Sequence, residues 1–270
     1  MKQIIGILFL CFSFISRSQE NSNQTLNYSE LIEAYKALSA EHKEIELYAM
    51  GESDYGLPIY LCMVNGAQDS IKSFEKARTS TTILINNAIH PGEPDGVNAC
   101  LEIINEWIES GKRSEGLPVL AIIPAYNVGG MMVRSGTSRA NQDGPEEYGF
   151  RGNTQNLDLN RDFVKMDSKN MFTFAKIYHA LEPDVFIDTH VSNGADYQYT
   201  VSYIANIKER MAPGLGDLLH SKMLPTIQSK LPKSGFDLIP YVDTKGETPE
   251  SGIQVFNDLP RYSMGYASMM

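Results

Sequence analysis

Apolar positions along the chain recur with two different periods. Across residues 28–42 they fall at Leu31, Ile32, Tyr35 and Leu38, which predicts a helix with Ser29 as its N-cap. Two short runs, 44–49 and 57–64, are divided by Gly51 and Gly56 and read as a hairpin. The middle then alternates, with strands predicted at 82–89, 117–124 and 184–190 and helices at 95–109 and 167–181. Strands so uniformly apolar, separated by helices, predict a sheet covered on both faces. A further strand is expected at 198–205, a helix at 215–231 and a short strand at 252–257.

The pattern predicts an α/β fold, a three-layer α/β/α sandwich around a mixed, mostly parallel sheet, in a single domain over residues 28–270. In such folds ligands bind beyond the carboxyl ends of the strands. That rule picks out His90 and His190, each closing an apolar run. The stretch 126–158 breaks the alternation. It is long, polar and rich in Gly and Arg, and a loop of that length in a compact domain is usually functional.

The start of the chain follows another rule. Lys2, an apolar run from Ile4 to Ile15, and Ser16 and Ser18 before Gln19 describe a secretory signal peptide over residues 1–18. Residues 19–27 read as a loose leader. The expected location is therefore secreted or periplasmic, with no membrane span, since the run is short for a permanent helix. The 270 residues carry 23 Lys and Arg against 33 Asp and Glu, a net charge of −10, which argues against nucleic acid as a partner. Of the three cysteines, Cys11 would leave with the signal peptide. Cys62 and Cys100 read as buried thiols or one bridge.

Three clusters carry chemistry. In Asn87–Gly96, His90 and Glu93 lie three apart on a Pro/Gly turn, and imidazole with carboxylate makes a good zinc donor pair. Asp188-Thr189-His190 supplies a second imidazole at a strand end. Two His and one Glu leave one coordination position open, as catalytic zinc sites do. In the third cluster, Asn156–Phe163, Arg161 is suited to bidentate contact with a carboxylate, with Asn160 as a donor beside it. Asp158 is placed to accept the second ring proton of a zinc-bound His. His42, His179 and His220 lack acidic companions at ligand spacing.

The order HPGE, NLDLNRDF, DTH resembles the zinc carboxypeptidases of the carboxypeptidase A type, from about Ile83 to His190. The resemblance implies one Zn2+ per chain, held by His90, Glu93 and His190, with Asp158 behind the first imidazole. It implies that Asn160 and Arg161 grip the terminal carboxylate of a peptide with a free C-terminus. The segment 124–130 looks like that family's strand-end turn, and 138–141 like the stretch supplying an arginine that polarises the scissile carbonyl. Arg139 is the candidate, with Arg134 and Arg151 as rivals. The segment 260–266 looks like the family's tyrosine loop, with Tyr262 in the tyrosine's place.

The implied activity is zinc-dependent hydrolysis of C-terminal residues. The general-base glutamate that the family carries on a strand after the tyrosine loop is not found. The resemblance thus implies that one or more C-terminal strands are missing, and that the chain as printed binds zinc yet hydrolyses poorly. Glu247 and Glu250 precede the tyrosine loop, the wrong order for the family. Two alternatives stand beside this reading: a non-catalytic zinc or peptide binder, and a related amidohydrolase acting on N-acyl amino acids.

Overall fold

The computed structural model describes residues 23–111, 116–139, 142, 144–192, 198–246, 249–256 and 259–270. The signal-peptide reading, Cys11, Ala140, Asn141 and Glu247 lie outside them.

Helix α1 (Tyr28–Glu41) is capped by Asn27, not Ser29. The Asn27 side chain accepts from the Glu30 N–H at 3.0 Å while Glu30 Oε2 accepts from the Asn27 N–H at 2.9 Å, a reciprocal box that a cap at Ser29 would forfeit. Strands β1 (Ile45–Glu52) and β2 (Pro58–Val64) form the expected antiparallel hairpin. Helix α2 (Ser70–Thr79) has no counterpart in the apolar pattern because it buries only Ser73 and Ala77. Strand β3 (Thr82–Asn86) leads to α3 (Asp95–Glu109), whose Val97, Cys100 and Ile104 make one buried stripe. Strand β4 (Val119–Ile123) follows.

The 126–158 stretch is not bare loop. It holds a short helix α4 (Val128–Met132) and a two-residue ladder of β5 (Arg134–Ser135) with β6 (Tyr148–Gly149). Helix α5 (Lys169–Leu181), capped by Ser168, and strand β7 (Val185–Asp188) come next.

The sheet runs β1-β2-β4-β3-β7, antiparallel across its first two pairings and parallel across the last two. Register assigns its faces. Cys62, Ile122, Ile85 and Ile187 stand opposite one another, and so do Met63, Ala121, Leu84 and Phe186. With a period of two, the first set faces one way and the second the other. The first face meets Tyr35 of α1 and Cys100 of α3, both electrostatic neighbours of Cys62. The second meets α5, where Phe174 and Tyr178 pack edge-on to Phe186. Three layers result. Strand β7 departs from the expectation of full cover: it lies at the sheet edge, and Ile187 is 43% exposed. Cys62 and Cys100 are free thiols and form no bridge, and burial pushes the Cys62 pKa up.

Beyond residue 198 the elements are short. Strand β8 (Val201–Tyr203) pairs in parallel with β9 (Leu238–Pro240), not with the main sheet. The expected single helix at 215–231 is α6 (Leu215–Leu218), a wide π-type turn at Leu219–Met223, and α7 (Leu224–Lys230). Pro225 has no N–H to give to the preceding turn. Strands β10 (Val242–Thr244) and β11 (Ile253–Val255) form a hairpin, and α8 (Ser263–Met269) returns to the core. There Tyr266 packs against Phe163, Phe174 and Tyr178 and its hydroxyl lies 3.0 Å from His179 Nε2. Among the described residues no helix is long and apolar enough to cross a membrane.

Candidate metal centre

Strand β3 leaves the sheet three residues sooner than predicted, and this places His90. Ala88 takes a left-handed backbone (φ 55°), so the chain bends rather than continuing the ladder. The bend is sewn to the end of β4: the Tyr126 N–H donates to Asn87 O and the Asn127 N–H to Ala88 O. The Asn127 side chain adds bonds to Ile89 O and Arg151 O. The HPGE turn therefore stands on a fixed base at the carboxyl ends of the central strands. Gly92 and Gly96 permit close approach, since a Cβ there would meet Arg139 Cδ at 2.8 Å and Thr189 Oγ1 at 2.2 Å.

On that base His90, Glu93 and His190 converge, with one ligand atom from each within 4.8 Å of the others. His90 Nδ1 is 3.1 Å from Glu93 Oε1, and His190 Nδ1 is 2.8 Å from Glu93 Oε2. The opposite ring nitrogens are each held by an aspartate: His90 Nε2 by Asp158 at 3.0 Å and His190 Nε2 by Asp188 at 2.8 Å. Both imidazoles thus present Nδ1 to one point. Two nitrogens and a carboxylate, backed by carboxylate-held rings, fit the donor set of zinc.

Charge is concentrated here. Burial alone would raise the Glu93 carboxyl, but hydrogen bonding with His190 and His90 holds it well below the usual range. The same contest, with His90 and then Arg151 and Arg161 prevailing over burial, depresses Asp158. Partial burial would lower the His190 imidazole, yet Asp188 and Glu93 at its two nitrogens push it up to about 10.

The arginines divide. Arg139 donates to Glu93 Oε1, and Arg151 makes paired bonds to Asp158 Oδ2 at 3.1 and 2.9 Å. Arg134 points elsewhere, its guanidinium binding Thr25, Leu26 and Glu147. Of the two rivals to Arg139, only Arg151 reaches the cluster. Asn160 Nδ2 lies 3.4 Å from His190 Nε2. Arg161 is half-buried beside it, its Cζ 4.5 Å above the ring of Tyr262. Glu250 is exposed on the turn at Pro249–Ser251.

Three contributors went unread in the sequence. Asp188 left a signal, for a residue two before His190 at a strand end shares its face. Ser263 left none. Its hydroxyl donates to Asp188 Oδ2 and its N–H to Asn160 Oδ1 at 3.2 Å. The Val191 N–H, donating to Glu93 Oε2 at 3.0 Å, is a backbone contribution no side-chain pattern announces.

A family model described as zinc carboxypeptidase matches residues 31–192. Several solved structures share the fold. A metallo-carboxypeptidase from Burkholderia cenocepacia aligns with TM-score 0.58 at 14% identity, over 91% of this chain and 57% of that one. One from Pseudomonas aeruginosa, in complex with (2-guanidinoethylmercapto)succinic acid, aligns at 0.59 and 14%, over 91% and 58%. The carboxypeptidase A from Helicoverpa armigera aligns at 0.56 and 16%, over 82% and 60%. The chain thus spans little more than half the length of these structures. No curated protein matches it.

Proposed function

The chain belongs to the zinc carboxypeptidase family, and on that premise we propose that it binds one Zn2+ through His90, Glu93 and His190 and releases C-terminal residues from peptides. The observation that carries this reading is the shared orientation of the two imidazoles, each giving Nδ1 to Glu93 and Nε2 to an aspartate. Zinc in such a donor set polarises a carbonyl and brings the pKa of its water toward neutrality.

The remaining work falls to the chain's own side chains. Arg161 and Asn160 bind the substrate's terminal carboxylate, the guanidinium steadied by the Tyr262 ring beneath it. Arg139, lodged against Glu93, is the donor for the oxyanion of the scissile carbonyl. Asp158 and Asp188 keep the imidazoles in one tautomer and one orientation. Among the described residues no carboxylate besides Glu93, Asp158 and Asp188 is hydrogen-bonded to the imidazoles. A second reading is that this stretch of chain captures metal and peptide without hydrolysis.

The two readings separate on two measurements made on the same protein. Elemental analysis gives the zinc content, and release of the last residue from a blocked dipeptide with a free carboxylate gives the rate. Stoichiometric zinc with ordinary turnover supports the peptidase; stoichiometric zinc without turnover supports the binder. Failure to take up zinc overturns both. An N-acyl amino acid assayed alongside tests the amidohydrolase. Export with a mature start near Gln19 is proposed as well, and N-terminal sequencing that finds Met1 would refute it.

A further inference from the structure

His190 is held differently from its two partners. His90 and Glu93 stand on the turn sewn to the end of β4. His190 comes two residues after the last ladder pair of β7, Asn86 with Asp188, and β7 has β3 as its one neighbour in the described sheet. Past Asp188 the sheet can steady the chain only through β3.

Two consecutive asparagines do this: Asn86, the last residue of β3, and Asn87, both fully buried. Asn86 donates from Nδ2 to Asp188 Oδ1 at 2.9 Å. Its backbone oxygen accepts from the Thr189 N–H at 3.1 Å and from the Thr189 hydroxyl at 3.2 Å. The nearer acceptor of that hydroxyl is Asn87 Oδ1, at 2.8 Å. Asn87 Nδ2 in turn donates to Cys100 Sγ of α3 at 3.2 Å.

The Asn86 amide is only half used. Its Oδ1 is buried without a hydrogen-bond partner. Turning the amide over would set that oxygen against the Asp188 carboxylate, so the orientation is fixed. A buried acceptor left unpaired lowers stability, and what the asparagine supplies in return is the donor to Asp188. The other Asp188 oxygen meets His190 Nε2 and the Ser263 hydroxyl. Thr189 faces the opposite way, toward β3 and α3, where Gly96 leaves it room. Pinning its hydroxyl sets the rotation of the backbone from which the next side chain, His190, departs.

We propose that Asn86 and Asn87 are positioning residues for His190, acting through Asp188 and Thr189 to aim its imidazole at Glu93; the proposal rests on the zinc assignment above.

The test reads His190 directly, by NMR on the full chain carrying 13C-labelled histidine. In the metal-free protein its ring Cε1–H should give one sharp signal, identified by its loss in His190→Gln. Thr189→Val keeps the side-chain shape without the hydroxyl and should broaden or split that signal, as should Asn86→Ala. Thr189→Ser keeps the hydroxyl and should keep the signal single. Zinc affinity, by competition with a chelator, should fall about tenfold in Thr189→Val and Asn86→Ala and be retained in Thr189→Ser. Ile32→Val trims the buried face of α1 and should change neither readout. A ring signal already broad in the unsubstituted protein, or unchanged in both Thr189→Val and Asn86→Ala, would overturn the proposal. So would an unchanged zinc affinity in those two, or equal losses in Thr189→Ser or Ile32→Val. If the unsubstituted protein takes up no zinc, the metal reading fails separately and the ring signal alone decides the positioning.

Discussion

Between residues 28 and 192 the chain removes Leu31, Ile59, Leu84, Ile122 and Phe174 wholly from solvent, whereas between 198 and 262 Ile253 and Val255 remain 59% and 75% exposed. In that later stretch only Gly216 is buried among the described residues. All three candidate ligands sit in the first region, His90 and Glu93 on the turn after the buried strand β3 and His190 just past the end of the edge strand β7. The later region adds two three-residue ladders that bury little, then rejoins the core through Tyr266. A metal site needs side chains held within fractions of an ångström, and the packed region is the one able to hold them.

The strongest way to break this contrast is to truncate one apolar side chain in each region. Phe174→Ala removes a ring in contact with Tyr126, Phe163, Phe186 and Tyr266, and should cost about 3–5 kcal/mol in denaturant unfolding. Val255→Ala should cost no more than about 0.5 kcal/mol. Comparable losses would mean the later region is packed as firmly as the earlier.

Next in size is metal capture. Elemental analysis of a His90→Ala, His190→Ala protein should find no stoichiometric zinc, because a single carboxylate cannot hold the ion against solvent. Retention would move the site elsewhere. Arg161→Ala should weaken a peptide with a free C-terminus by about 2–3 kcal/mol, with little change for its amide. Calorimetry giving equal losses for both peptides would assign Arg161 to structure.

The smallest effect sharpens the contrast rather than testing it. Ser263 lies past the lightly packed stretch yet touches Asp188. Ser263→Ala should weaken zinc about tenfold, as loss of an outer hydrogen bond behind a ligand does. An unchanged affinity, read by competition with a chelator, would make the first region self-sufficient.

What the sequence made legible follows the same division. Helix α3 was readable because Val97, Cys100 and Ile104 repeat on one face, and α2 was not because it presents only Ser73 and Ala77 to the core. His90, Glu93 and His190 were readable because donors at strand ends are an unusual combination, and all three meet in space. The alternation around Val201 announced a strand but carried no information about its partner, which is β9 and not the main sheet. Ser263 was beyond reach, since a hydroxyl meeting a residue 75 positions earlier leaves no local pattern.

That last contact has a kinetic meaning. Residues 90 and 93 are set by the adjacent β3 and β4, which pair in parallel early in the chain. The third donor, the His190 imidazole, is aligned by Asp188, and Asp188 is bonded both to Asn86 and to Ser263, so its alignment waits for a loop of some 75 residues to close. Loop closure over such separations is slow, because its entropy must be met before the contact gives anything back. A refolding chain should therefore order two donors first and complete the third with the docking of α8. A zinc-sensitive dye present during refolding should register tight capture only after the β3 and β4 amides are protected from exchange.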